Sequence, residues 1–274
     1  MDVIIILKAV ILGIVEGLTE WLPISSTGHM ILVNEFINMQ VSPKFMDMFL
    51  VVIQLGAILA VVVLNFTRLN PFSTKKTSVE KKQTFLLWQK VIIACIPAAV
   101  IGLIFNNYME KHFMNAHVVA FTLVLYGILF IIIENYNKHR QPVINTLEEL
   151  DYKRAFIIGV FQVLALVPGT SRSGSTIIGG LLFGTSRYVA TEFTFFLAIP
   201  VMFGASFLKI VKFGLNYSMQ ELVVLVVGMI VAYIVSIISI KFLLRYIKNN
   251  DFKAFGWYRI ILGLIVFAYF IVLG

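Results

Sequence analysis

Charge is what this chain has least of. Only 13% of its 274 residues are Asp, Glu, Lys or Arg, about half the share of an ordinary soluble domain. That scarcity excludes a solvated globular surface. Cysteine is scarcer still. The one present, Cys95, stands inside an apolar run, so no disulfide framework holds the fold, and the residue reads as a small buried hydrophobe. Acid is scarcer than base: 14 acidic against 22 basic residues give a net charge of +8. In so apolar a chain this excess marks cytoplasmic loops and not nucleic-acid binding. A cleavable leader is not expected, because Asp2 is acidic and the first apolar run leads directly into glutamates. What remains is apolar. Hydrophobic residues make up 59% of the chain, 24 of them phenylalanine, and the mean hydropathy is +0.93. These values indicate an all-α polytopic membrane protein forming one membrane domain over residues 1–274.

Taken in order, residues 4–18 are apolar but stop short of a crossing at Glu20, Pro23 and a Ser/Thr/Gly cluster. A second short run, His29–Met39, ends near Pro43. Two short helices split by a polar turn predict a re-entrant hairpin over 4–39, because irregular backbone at membrane depth needs protein or a wet cavity around it. Three spans are expected next: 46–64, with Gln54 in its middle as a candidate supporting group; 88–105, interrupted by Pro97; and 118–133. The pattern then repeats. A second broken hairpin over 155–184, split at Pro168, precedes spans at 190–208, 222–240 and 258–273. The two repeats are thus 1–134 and 154–274. A shift of 146 residues sets Gly13 on Gly159, Glu16 on Gln162, Leu18 on Leu164, Ser25 on Ser171 and Gly28 on Gly174. With three crossings per half, the second copy is expected to be inverted.

Loop charge sets the expected orientation. The loops at 65–90, 135–154 and 241–255 hold 6, 4 and 4 basic residues, whereas the link at 106–116 holds only Lys111 and that at 209–220 holds Lys209 and Lys212. The positive-inside rule places the three basic loops in the cytoplasm. Both termini and the mouth of the first hairpin then face outward.

The chemistry is expected in the two turns. Gly13, Glu16, Gly17 and Glu20 share one helical face. Two carboxylates one turn apart repel unless a proton, a metal ion or a cation lies between them. In an apolar chain such a pair reads as a working site. An oxygen-only pair suits Mg²⁺ or Ca²⁺, so Glu16 and Glu20 are the expected metal ligands. The turn that follows supplies Ser25, Ser26, Thr27 and His29. The second turn, Pro168 to Thr176, carries Gly169, Ser171, Arg172, Ser173 and Thr176 just before a helical run. Backbone N–H groups at a helix start, hydroxyls and a guanidinium form a phosphate cradle, although no P-loop ending is present. Ser26 is the expected nucleophile, with Glu20 or His29 taking its proton; His29 is the rival nucleophile, and direct water attack is a third route. Arg172 and Ser171 would neutralise the phosphoryl oxygens. Read from residues alone, a phosphoryl-transfer enzyme and an ion-coupled transporter or lipid flippase stand level, because inverted repeats with buried acids serve both.

EGLTEWLPISSTGH at 16–29 and PGTSRSGST at 168–176 resemble the two signature regions of the undecaprenyl-diphosphate phosphatase family of the bacitracin-resistance type. VVIQLGAILAVVV at 51–63 and SRYVATEFTFFLAIP at 186–200 add to the match, which spans essentially the whole chain. The resemblance implies integral-membrane hydrolysis of undecaprenyl diphosphate to the monophosphate and phosphate, which recycles the lipid carrier of cell-wall glycans and confers bacitracin resistance. It also implies metal stimulation, a bacterial cytoplasmic-membrane location, an active site open to the outer face, and a homodimer as one open assembly.

Overall fold

The computed structural model describes residues 2–214 and 216–272, with Glu35, Asn106, Asn107, Glu110, Lys111, Ile271 and Val272 described by their backbone alone. Lys111, counted above as the one cation of its link, and Leu273, the end of the last expected span, therefore lie outside the residues whose side chains are described.

Among the described residues the chain is all α, with one isolated bridge pairing Ile144 with Thr185. The helices are α1 (Val3–Thr19), α2 (Ser26–Ile37), α3 (Pro43–Leu64), α4 (Phe66–Leu69), α5 (Ser78–Phe113), α6 (Ala116–Asn137), α7 (Tyr152–Val163), α8 (Arg172–Leu182), α9 (Arg187–Phe213), α10 (Met219–Tyr246) and α11 (Lys253–Val272). A 3-10 turn, Leu164–Leu166, extends α7. Six of the helices, α3, α5, α6, α9, α10 and α11, are long and apolar enough to cross a membrane. The protein is a polytopic membrane protein.

The long helices outrun the apolar runs that announced them, because polar caps start them. Thr77 and Glu80 form a reciprocal capping box ahead of α5, and Ser218 and Glu221 form another ahead of α10. Two expectations change as a result. Lys81, Lys82 and Lys90, assigned above to a loop, lie on α5, and Pro97 does not interrupt that helix, which continues through it to Phe113. Proline is tolerated inside membrane helices when the freed carbonyl finds another partner, and α9 likewise passes through Pro200.

Packing among the helices relies on small residues, as it must where lipid removes the hydrophobic drive for helix association. The α1 helix lies against α10, and α7 lies against α5. A Cβ added to Gly13 would stand 2.8 Å from the Gly228 carbonyl oxygen, and one added to Gly159 would stand 2.1 Å from that of Ala94. Around Gly127 of α6 and Gly256 of α11, each backbone likewise excludes a side chain on the other. The loop after α6 folds back on the protein: Ser186 N–H donates to the Ile144 carbonyl at 2.8 Å, and Leu147 and Leu150 are buried. The ends of α6, α9 and α11 are tied by Glu134, which accepts from Arg187 Nη2 at 2.5 Å and from Phe252 N–H at 3.0 Å.

Candidate active site

The α1 helix delivers Glu16 and Glu20 to its C-terminal end, both buried. The chain then turns through Pro23 to Ser25, whose φ of 72° lies in the left-handed region, costly for any residue with a Cβ. The strain is held by local bonding. The Ser25 hydroxyl oxygen accepts from Gly28 N–H at 3.3 Å as the cap of α2. Its carbonyl accepts from His29 Nδ1–H at 2.7 Å. Ser171, the cap of α8, repeats the arrangement: its φ is 73°, and its oxygen accepts from Gly174 N–H at 3.1 Å. The two turns therefore share one local conformation.

They meet at Glu20. Ser26, the first residue of α2, donates to Glu20 Oε2 at 2.5 Å. Arg172, the first residue of α8, donates through Nη2 to Glu20 Oε1 at 3.0 Å and through Nη1 to the Thr194 carbonyl at 3.1 Å. Both carboxylate oxygens of Glu20 are thus engaged, one by the Ser26 hydroxyl at the start of α2 and one by the Arg172 guanidinium at the start of α8. Glu16 faces the same carboxylate from one helical turn earlier and is almost fully buried, and its Oε1 has no hydrogen-bond partner. A buried carboxylate oxygen without a partner is expensive as an anion, and a proton or a cation at the Glu16–Glu20 pair removes that cost.

The remaining expected residues divide into two groups. Ser173 reaches across the turns and donates to the carbonyls of Glu20 at 3.3 Å and Leu22 at 3.4 Å. The Thr176 hydroxyl is fully buried and bonded to the Arg172 carbonyl at 2.9 Å and to Thr194 Oγ1 at 2.8 Å. Both hydroxyls fix the second turn from behind. Ser171 also contacts Ser173 Oγ at 3.2 Å, and Thr27 stands exposed at the start of α2. The ring of His29 is turned toward α11, where Nε2, the bare nitrogen of the neutral ring, accepts from Tyr258 O–H at 2.6 Å. None of these hydrogen bonds involves Gln54, which is half-buried on α3. Gly169 has a φ of 84°, and a side chain there would strike Thr122 Oγ1 at 2.2 Å. That hydroxyl instead donates to the Pro168 carbonyl at 2.8 Å.

Sequence reasoning missed Arg259, the structural hub of the site. It is fully buried on α11. Its guanidinium donates to the Pro23 carbonyl of the first turn at 3.2 Å, and to those of Gly169 at 2.8 Å and Thr170 at 2.9 Å in the second. One cation on a separate helix thus joins both turns. The only signal was a charged residue inside the last apolar run. Gln162, the counterpart of Glu16 under the 146-residue shift, is also buried, and neither polar atom of its side chain has a partner.

Fold and site together define a class: an integral-membrane helical protein with a carboxylate, hydroxyl and guanidinium centre built from two capped turns. Comparison with known proteins gives that class a family. The chain matches the family described as Bacitracin resistance protein BacA over residues 9–265, and it belongs to that family. It is 61% identical over 267 residues to the undecaprenyl-diphosphatase of Enterococcus faecalis, covering 96% of this chain and 97% of that protein. It is 63% identical over 266 residues to the undecaprenyl-diphosphatase of Acetivibrio thermocellus, covering 97% and 98%. The undecaprenyl-diphosphatase of Desulfitobacterium hafniense is 61% identical over 271 residues, 98% of each chain.

Proposed function

We infer that this chain is a membrane phosphatase that hydrolyses undecaprenyl diphosphate to undecaprenyl phosphate and inorganic phosphate, recycling the lipid carrier for cell-wall synthesis. Near full-length identity to undecaprenyl-diphosphatases supports this. The observation that carries the chemistry is the Ser26–Glu20–Arg172 chain of hydrogen bonds.

In the mechanism we propose, Ser26 Oγ attacks the terminal phosphorus. The Ser26 proton passes to Glu20 Oε2, with which it already shares a 2.5 Å hydrogen bond. A neighbouring base is what a serine needs to act as nucleophile. The new Oγ–P bond replaces the bond from phosphorus to the bridging oxygen, and undecaprenyl phosphate departs. Water then hydrolyses the phosphoserine, with Glu20 returning the proton, and phosphate leaves. Arg172 stabilises the non-bridging oxygens, with its position fixed by the Thr194 carbonyl. The contact with Ser26 favours Glu20 over His29 as the base, since the His29 ring bonds Ser25 and Tyr258.

Glu16 and Glu20 suit a divalent cation such as Mg²⁺ or Ca²⁺. Their donors are all oxygen, and Glu16 Oε1 is buried without a partner. Among the described residues no third His, Cys, Asp or Glu joins them, so substrate phosphate and water would complete the shell, as is usual for Mg²⁺. When bound, the ion would supply charge neutralisation of the diphosphate.

The elements around the site fit an inverted repeat of residues 1–134 and 154–274, each a re-entrant hairpin followed by three crossings. In support, α1 and α2 pair with α7 and α8 through the matching caps at Ser25 and Ser171, and the contact of α1 with α10 is mirrored by that of α7 with α5. The protein would sit in the bacterial cytoplasmic membrane with its site open to the outer face.

Purified protein in detergent tests the function. Phosphate release from a polyprenyl diphosphate, with divalent metal and no membrane gradient, is the expected result, and its absence from folded protein would overturn the reading. Rapid quench with ³²P-labelled substrate tests the nucleophile: acid-stable label on Ser26 is expected, and acid-labile label on His29 would replace it.

A further inference from the structure

A second polar feature lies away from the two turns. Between α4, the start of α5 and the Leu147–Glu148 turn is a cavity of about 610 Å³. It is lined by four cations, Arg68, Lys75, Lys76 and Lys90, against two carboxylates, Glu80 and Glu148. Both carboxylates are already committed. Glu80 Oε2 accepts from Thr77 N–H at 2.7 Å and Thr77 O–H at 2.9 Å in the capping box of α5, and Glu148 pairs with Arg68 Nη2 at 3.6 Å. The other arm of Arg68 is bonded to Glu192.

The lysines are held by neutral oxygens. Lys90 is buried, and its Nζ donates to the carbonyls of Leu147 at 3.0 Å and Glu148 at 3.2 Å. Lys76 Nζ donates to the Arg68 carbonyl at 2.9 Å and to Thr84 Oγ1 at 2.6 Å. An ammonium has three protons, so each keeps one beyond these bonds. Lys75 is exposed at the rim. Four cations against two carboxylates leave the lining with an excess of positive charge, with Lys76 and Lys90 held in place around a space large enough for a ligand.

The cavity lies at the N-terminal end of α5, a helix long and apolar enough to cross a membrane. Phe72, between α4 and α5, and Phe85, on α5 beside the lining residue Thr84, are 78% and 48% exposed and meet edge to face at 6.0 Å. Basic pockets beside the ends of membrane-crossing helices take up phosphate headgroups. We propose that this cavity is an anion site for a phosphate monoester or diester, carried on a lipid of the surrounding leaflet or free in solution, and separate from the site at Glu20 and Arg172.

The test uses delipidated full-length protein in detergent. Native mass spectrometry measures retention of phosphatidylglycerol against phosphatidylcholine, and equilibrium dialysis measures binding of ³²P-labelled inorganic phosphate. A lipid-borne phosphate predicts preferential retention of phosphatidylglycerol, reduced at least fivefold in the Lys75→Ala/Lys76→Ala variant. A soluble phosphate predicts saturable dialysis binding lost in the same variant. The Lys81→Ala/Lys82→Ala variant removes equal charge from α5 outside the cavity and should bind as wild type does. Lys75→Glu, at an exposed position with no side-chain bond to disturb, should act in the same direction as the double variant and decides the matter alone if that variant fails to fold. Binding of neither probe, unchanged binding in Lys75→Glu, or equal loss in the Lys81→Ala/Lys82→Ala control would overturn the proposal.

Discussion

At the scale of single residues, Glu20 is the meeting point of the candidate site, because its two oxygens face opposite partners. Ser26→Ala removes the donor at Oε2 and leaves Arg172 at Oε1. Turnover should become undetectable while substrate still binds, so a binding assay with a non-hydrolysable analogue separates the two effects; substantial turnover would rule out a serine nucleophile. Arg172→Lys keeps the charge but cannot bond Glu20 and the Thr194 carbonyl together through one planar group. Activity should fall by roughly two orders of magnitude or more, the usual loss when a donor to the reacting oxygens is removed, and metal dependence should be unchanged. Arg259 differs from both. Its partners are backbone carbonyls, so Arg259→Met should lower stability by about 3 kcal/mol through orphaned buried acceptors, read as a fall in the unfolding midpoint in detergent, with activity lost alongside. An isosteric neutral residue that left stability intact would show that the bonds to the two turns contribute little.

At the scale of helices, the site depends on how closely α1 and α7 can approach their partners. Gly159→Ala would force α7 away from the Ala94 carbonyl, only 2.1 Å from the added atom. Because α7 leads into the Arg172 turn, the variant should lose about 1–3 kcal/mol of stability, as overpacked sites do, and activity with it. Gly204→Ala on α9 is the control. Nothing lies within 4 Å of its added Cβ, and helix propensity alone predicts a gain of about 0.5–1 kcal/mol. Comparing the two unfolding midpoints isolates close approach from backbone entropy. Much of this level was legible in advance. Apolar run length located the six long helices, and the Pro-Ile-Ser-Ser and Pro-Gly-Thr-Ser turns located both breaks, because irregular backbone needs such residues. Helix ends were not legible from hydropathy, since Thr77 and Ser218 start α5 and α10 with polar side chains. Glu16, Glu20, Ser26 and Arg172 were legible because charge and hydroxyl stand out in an apolar chain. The backbone-facing roles of Arg259 and Thr176 were not, because no sequence pattern marks which carbonyls a buried side chain will meet.

At the scale of the whole molecule, charge and packing give separate readings of how the chain lies in the membrane. The segments that carry most of the basic residues, 65–90, 135–154 and 241–255, are brought together in the fold: Arg68 reaches Glu148, and Glu134 near the end of α6 bonds Phe252 just before α11. One face of the protein therefore gathers the basic segments, and we propose from the positive-inside rule that this face lies in the cytoplasm. The link between α5 and α6 lies at the other ends of those helices. Thiol labelling tests this directly. With Cys95 replaced by Ala, single cysteines are introduced by Lys82→Cys on the basic side and His112→Cys on the other, both at exposed positions. In intact cells an impermeant maleimide should label position 112 and leave position 82 unmodified until the membrane is permeabilised. The opposite pattern would turn the molecule over and open the first hairpin to the cytoplasm. Labelling of both positions in intact cells would mean that the two segments share a side, which a single crossing by α5 does not allow. Phosphate release measured on each cysteine variant shows that the labelled protein is the active one, so the outcome also fixes the side on which the diphosphate must be presented.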